Sequence, residues 1–293
     1  MNDRHGFEVA PVDATFGAVV TGRRLPDLDD AAFAWLYGAW LDHALLIFPG
    51  QHLTNAEQVA FARRFGPPEF EISPISNVRP DGSVRPATQD DEVVKTLRGN
   101  MGWHQDSTYM PVQAKGAVFS AHVVPSERGE TEWADMRAAY DALDPGLRSE
   151  IEPLRAFHSL RFSQSKAGYS PAKGLTPYGF DVEQPPLRPL VKTHPETGRR
   201  NLVIGRHAFG IPGLTPERSE RLLDDLCAFA CQPPRVYRHS WTPGEVVVWD
   251  NRRLMHRACP WDMSQARVMY HSRIAGDPAS EFAAPMDGVA QPA

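Results

Sequence analysis

The chain has 293 residues, with 31 Lys and Arg against 36 Asp and Glu, and a formal charge of -5. Hydrophobic residues make up 42% of it, as in an ordinary globular protein, while 27 Pro and 22 Gly break too many helical turns for a bundle, coiled coil or solenoid. The mild acidity lacks the basic face that releases counterions from nucleic acid, and the longest apolar run, residues 44–48, is far too short to span a bilayer. Neither a nucleic acid nor a membrane is therefore expected as a partner.

Along the chain, two short strands are predicted at residues 7–12 and 16–21. Asp29 or Asp30 then caps a helix whose apolar residues Phe33, Leu36, Tyr37, Trp40 and Leu41 recur at helical spacing. Residues 44–48 read as a buried strand stopped by Pro49-Gly50. Thr54 and Glu57 form a capping box for a second helix, closed by Gly66. Residues 67–100 hold Pro67, Pro68, Pro74, Pro80 and Pro86 without clear periodicity, and read as an irregular insert expected to serve as a lid over the site. Further strands are predicted at 117–124, 189–193, 201–205, 235–241, 245–249 and 266–274. One helix, capped by Thr215 and opened by Pro216, interrupts them and runs to Cys231.

Many short strands, separated by turn residues and flanked by a few helices, predict a mainly β protein with peripheral helices. Its core is expected to be a double-stranded β-helix (a cupin-like jelly roll). No Gly/Ser linker divides the chain, so residues 1–276 are expected to form one domain, with 277–293 a flexible tail. Cys227, Cys231 and Cys259 contain no CxxC pair and suit a reducing compartment, which predicts a cytoplasmic protein.

The chemistry begins with His104-Gln105-Asp106. On a strand, residues two apart project from one face, so this imidazole and carboxylate can share one ion. A third donor is suggested further on, where a buried strand at 246–249 runs into the polar turn Asp250-Asn251-Arg252-Arg253 and returns through His256. Two His and one carboxylate on one face of an iron leave three coordination positions open. No H-E-x-x-H occurs, so the common zinc-protease arrangement is absent.

The motifs carrying a family likeness are Leu46-Ile47-Phe48-Pro49-Gly50-Gln51, Phe61-Ala62-Arg63-Arg64-Phe65-Gly66, Trp103-His104 with Asp106-Ser107-Thr108, Gly129-Glu130-Thr131-Glu132-Trp133-Ala134-Asp135-Met136, and Trp249-Asp250-Asn251 through His256-Arg257 to Arg267. In order and spacing the chain resembles the Fe(II)- and 2-oxoglutarate-dependent dioxygenases of the taurine dioxygenase/2,4-dichlorophenoxyacetate dioxygenase family. Gly99-Asn100-Met101-Gly102, Leu202 to Ala208, and Pro260-Trp261-Asp262 bring it nearest to the (S)-selective phenoxypropionate branch.

The resemblance implies His104, Asp106 and His256 as iron ligands, and Thr131 and Arg267 on the distal carboxylate of 2-oxoglutarate. It implies Fe(II), 2-oxoglutarate and O2 as requirements, with ascorbate supportive in vitro, and a small-molecule carboxylate as substrate. Hydroxylation of the ether-bearing carbon of an aryloxyalkanoate would then give a phenol and a keto acid, beside succinate and CO2. The taurine branch binds its substrate anion with an Arg four residues after the cofactor Arg. Here His271 stands at that position, so Arg206 and His207, or Arg273, are the candidate anchors for the substrate carboxylate. Other readings are a hydroxylase of another small carboxylate or a sulfonate, and a non-catalytic metal-binding jelly roll. A homo-oligomer is expected.

Overall fold

The structure, a computed structural model, describes residues 5–87, 91–169, 178–180 and 182–283. Its frame is a seven-stranded sheet ordered Glu8–Pro11, Ala18–Thr21, Leu45–Phe48, Val246–Asp250, Gly116–Val123, Val268–Ile274 and Pro68–Ser76. Strands from both ends of the chain alternate in this sheet. A smaller sheet, ordered Val236–His239, Thr131–Asp135 and Leu254–Ala258, faces it. This is the jelly-roll core predicted above.

The period of two along each strand decides what lies between the sheets. Val246 and Val248 face outward with Leu46, Phe48 and Val118, against the helices Asp30–His43 and Asn55–Arg63. Val247 and Trp249 face inward with Leu45, Ile47, Ala117 and Phe119, and meet Trp133 and Leu254 of the small sheet. Both faces of the central strands are covered, which explains why Leu45-Leu46-Ile47-Phe48 and Val246-Val247-Val248-Trp249 are continuous apolar runs rather than alternating ones. The same parity puts Thr131, His256, Ala258, Arg267, His271 and Arg273 on inward positions. A third cluster packs the helices Met136–Ala142 and Pro216–Ala230 against the outer side of the small sheet.

The caps behave as expected. Asp29 accepts from Ala32 N, Thr54 and Glu57 form the reciprocal box, and Thr215 accepts from Arg218 N. Two readings need correction. Residues 67–100 are not irregular throughout, since they hold the nine-residue strand Pro68–Ser76 and the helix Glu92–Gly99, with 88–90 outside the described residues. The strand tolerates Pro68 and Pro74 because it is the edge of the large sheet, where missing N–H donors cost no ladder bonds. Nor is the start of the tail loose. Pro278–Glu281 is helical, Glu281 is buried against Lys192, and Phe282 bridges Val112. The remainder of the predicted tail, 284–293, lies outside the described residues.

Candidate metal centre

His256 lies on the small-sheet strand Leu254–Ala258, and backbone pairing brings His104 directly beside it. His104 N donates to His256 O at 3.0 Å, and His256 N donates to His104 O at 2.8 Å. The expected strand through 104–106 is only this single bridge, after which the chain turns at Asp106. Asn251 fixes the turn, donating through Nδ2 to Asp106 O at 2.9 Å and accepting from Asp106 N at 2.7 Å. The side-chain donor atoms of His104, Asp106 and His256 fall within 4.8 Å of one another, and all three residues are at or near full burial.

The protonation pattern suits a cation. Burial, reinforced by His256, pushes the His104 imidazole well below its usual pKa, and burial also lowers His256. Both are therefore neutral imidazoles at neutral pH. His104 Nδ1 donates to Gly102 O at 2.7 Å, which fixes the tautomer and leaves Nε2 a lone pair. Burial alone would raise Asp106, but the Arg273 guanidinium beside it outweighs burial and holds the carboxylate ionised. Asp106 Oδ2 is buried without a hydrogen-bond partner, 3.8 Å from His256 Nε2. An orphaned carboxylate oxygen beside two imidazole nitrogens is a donor set suited to Fe(II).

These residues open on a cavity of about 80 Å³ that is also lined by Thr131, Arg267, Phe119, Ile75, Trp249 and His271. Arg267 is 2% exposed, its Nε has no partner, and no carboxylate among the described residues lies within ion-pairing distance. Burial pushes its pKa down to about 10, so it remains a cation at neutral pH. A buried guanidinium with no counter-charge is costly unless an anion joins it. Thr131 Oγ1 accepts from Trp241 Nε1 at 3.0 Å, which leaves the hydroxyl proton free to donate into the cavity.

The candidate substrate anchors separate. Arg206 and His207 do not line this cavity, although the His207 ring packs edge-on to His104 with centroids 5.7 Å apart. Arg206 carries a buried Nη2 without a partner. Its side chain fills space left by Gly99 and Gly102, where a Cβ would stand 3.1 Å from Arg206 Nη1 and Cδ respectively. Arg273 is already engaged, donating to Asp106 Oδ1 at 2.9 Å and to Ser107 Oγ at 3.1 Å.

Sequence reasoning missed Asn251, which holds the Asp106 backbone, and Trp241, which orients Thr131. The quoted run Trp249-Asp250-Asn251 contained the first, but the role of an amide cannot be read without its partner. Asp250, six residues before His256, is taken by Arg252 and His194.

Residues 8–273 match the family described as Taurine catabolism dioxygenase TauD, TfdA family. The chain is 65% identical over 280 residues to the (S)-phenoxypropionate/alpha-ketoglutarate-dioxygenase of Sphingobium herbicidovorans, covering 94% of this chain and 98% of the relative. It is 57% identical to the protein of the same name from Delftia acidovorans, covering 95% and 98%. Among solved structures it is similar to AAD-2 in complex with Mn(II) and N-oxalylglycine, with TM-score 0.86, 36% identity, and 92% and 97% of the two chains covered.

Proposed function

We infer the reaction from the premise that this chain belongs to the taurine catabolism dioxygenase TauD, TfdA family. It is a 2-oxoglutarate-dependent dioxygenase, and we assign it the hydroxylation of the ether-bearing carbon of an aryloxyalkanoate such as (S)-2-(2,4-dichlorophenoxy)propanoate. The observation that carries this reading is one cavity joining three metal-type donors to an unpaired buried guanidinium and a free hydroxyl. The likeness to the two (S)-phenoxypropionate enzymes points to the aryloxyalkanoate.

When bound, Fe(II) with 2-oxoglutarate and O2 supplies the oxidation that yields succinate, CO2 and a hydroxylated substrate. His104, Asp106 and His256 hold the ion. Arg267 pairs with the distal carboxylate of 2-oxoglutarate through its planar fork, and Thr131 adds a hydroxyl donor. Arg206, whose buried Nη2 has no partner, is assigned to the substrate carboxylate from beside the cavity, with His207 packed against His104. Ile75 and Phe119 provide apolar wall for the aromatic ring, and the 67–100 segment contributes Ile75 to that wall. The hydroxylated ether carbon is a hemiketal, which releases the phenol and leaves a keto acid. None of the three metal-binding residues is needed as a general base.

Residues 5–283 are read as one domain, supported by the mixing of N- and C-terminal strands in one sheet. A cytoplasmic setting is supported by three free cysteines, and no helix among the described residues is long and apolar enough to cross a membrane. The test is a panel of chiral aryloxypropionates, aryloxyacetates and alkyl sulfonates, scored for succinate and phenol. Phenol from (S)-aryloxypropionates is expected. Succinate with sulfonates and no phenol from any ether would contradict the assignment.

A further inference from the structure

We propose that Arg273 is a positioning residue that makes Asp106 a one-oxygen metal donor, and thereby keeps room on the ion for 2-oxoglutarate. The proposal rests on the metal site assigned above. The two oxygens of Asp106 are treated differently. Oδ1 accepts from Arg273 Nη2 at 2.9 Å, whereas Oδ2 is buried, unpartnered, and faces His256 Nε2. His271 Nε2 stands 3.6 Å from Oδ2, beyond hydrogen-bond distance, so nothing competes for that oxygen.

The guanidinium is itself fixed on several sides. It lies over the Phe70 ring at 4.8 Å, and its Nη1 donates to Ser107 Oγ at 3.1 Å. The Ser107 hydroxyl lies 2.8 and 3.0 Å from the two Glu69 oxygens. Ser107 has φ 56°, a left-handed backbone that a non-glycine residue adopts only when its surroundings enforce it. The turn carrying Asp106 is thus held by the edge strand through Glu69 and by the neighbouring strand through Arg273.

A charge-assisted hydrogen bond to Oδ1 holds that oxygen toward Arg273 and disfavours a chelate through both oxygens. Without Arg273, Oδ1 is free to swing onto the ion and fill a position that the keto acid needs. Truncating Arg273 should therefore weaken the keto acid more than the metal.

The experiment titrates apo-protein with Mn(II) and then with N-oxalylglycine by calorimetry, for the wild type, Arg273→Met and Arg273→Lys, with a crystal structure of the wild-type Mn(II) form. Arg273→Met is expected to lose about tenfold more affinity for N-oxalylglycine than for Mn(II), the lower end of the loss seen when a ligand's hydrogen-bond partner is removed. Arg273→Lys, which can still donate to Oδ1, should restore most of the loss. Equal losses of Mn(II) and N-oxalylglycine affinity would reduce Arg273 to a structural support and overturn the proposal, as would unchanged N-oxalylglycine binding in Arg273→Met. The wild-type crystal decides the matter even if Arg273→Met fails to fold: Oδ2 alone on the ion supports the clamp, and both oxygens on it overturn the clamp while leaving the site assignment intact. A wild type that takes up no Mn(II) at these residues overturns both.

Discussion

At the scale of single residues, the site consists of buried polar groups that lack partners within the protein. Arg267, Arg206 and Asp106 Oδ2 each carry an unmet charge or lone pair, and each prediction follows from what would meet it. Arg267→Met should raise the KM for 2-oxoglutarate roughly 10- to 100-fold, the scale of a lost hydrogen bond to a charged group, with a smaller rise for Thr131→Val. Arg206→Ala should raise the KM for the aryloxyalkanoate and leave that for 2-oxoglutarate near wild type. An unchanged substrate KM would remove Arg206 from its role. His104, Asp106 and His256 were legible because their types and order match a known motif. Asn251 and Trp241 were not, because their work is a hydrogen bond to a residue about 145 or 110 positions away.

At the scale of elements, parity explains most of the site. Within the strand Val268–Ile274, His271 and Arg273 share the inner face, opposite Phe119 and Ala117, although the pairing with Pro68–Ser76 shifts register between them. The edge strand Pro68–Ser76 was hidden because its two prolines read as loop in isolation, and only its position in the sheet excuses them. The helix Glu92–Gly99 had a visible signal, since Asp91 caps it and Val94 and Leu97 sit one turn apart on its buried side. Proline density around it masked that pattern. Gly205 links an element to the site. It has φ 109°, and a Cβ there would stand 2.9 Å from Trp103 O and 3.4 Å from His104 Cα. Gly205→Ala should cost about 2 kcal/mol and displace His104, so Mn(II) affinity should fall with stability. Thr54→Ala removes a remote helix cap at about 1 kcal/mol, and should lower the melting temperature without changing Mn(II) affinity. Paired denaturation and metal titrations check both.

At the scale of the molecule, buried ion pairs join parts far apart in sequence. Arg253 donates to both oxygens of Asp135 at 3.0 and 2.7 Å and to Asp42 O at 2.9 Å, tying the small sheet to the end of the first helix. Arg253→Met strands the Asp135 charge and should cost about 3–5 kcal/mol in denaturant melts. Burial raises the Asp135 carboxyl, but Arg253 outweighs it and leaves the pKa below the ordinary 3.8; Asp250 behaves likewise through Arg252. A depressed folded pKa contributes stability that is present above the unfolded value and lost as pH falls through the folded one. Buried imidazoles such as His104, His158, His207 and His271, all held below the ordinary value of 6.5, add a loss that starts higher, because only the unfolded chain protonates them there. Thermal melts of apo-protein should therefore decline as pH falls below about 6.5 and more steeply below about pH 4, and Arg253→Met should lose the part of the lower slope that Asp135 supplies. The central claim concerns the assembled site, and one measurement addresses it directly: succinate and phenol quantified together from (S)-2-(2,4-dichlorophenoxy)propanoate, with Fe(II), 2-oxoglutarate and O2 each omitted in turn. Equal amounts of the two products, both absent whenever any one component is withheld, are predicted. Phenol formed without 2-oxoglutarate, or phenol unaccompanied by succinate, would contradict it.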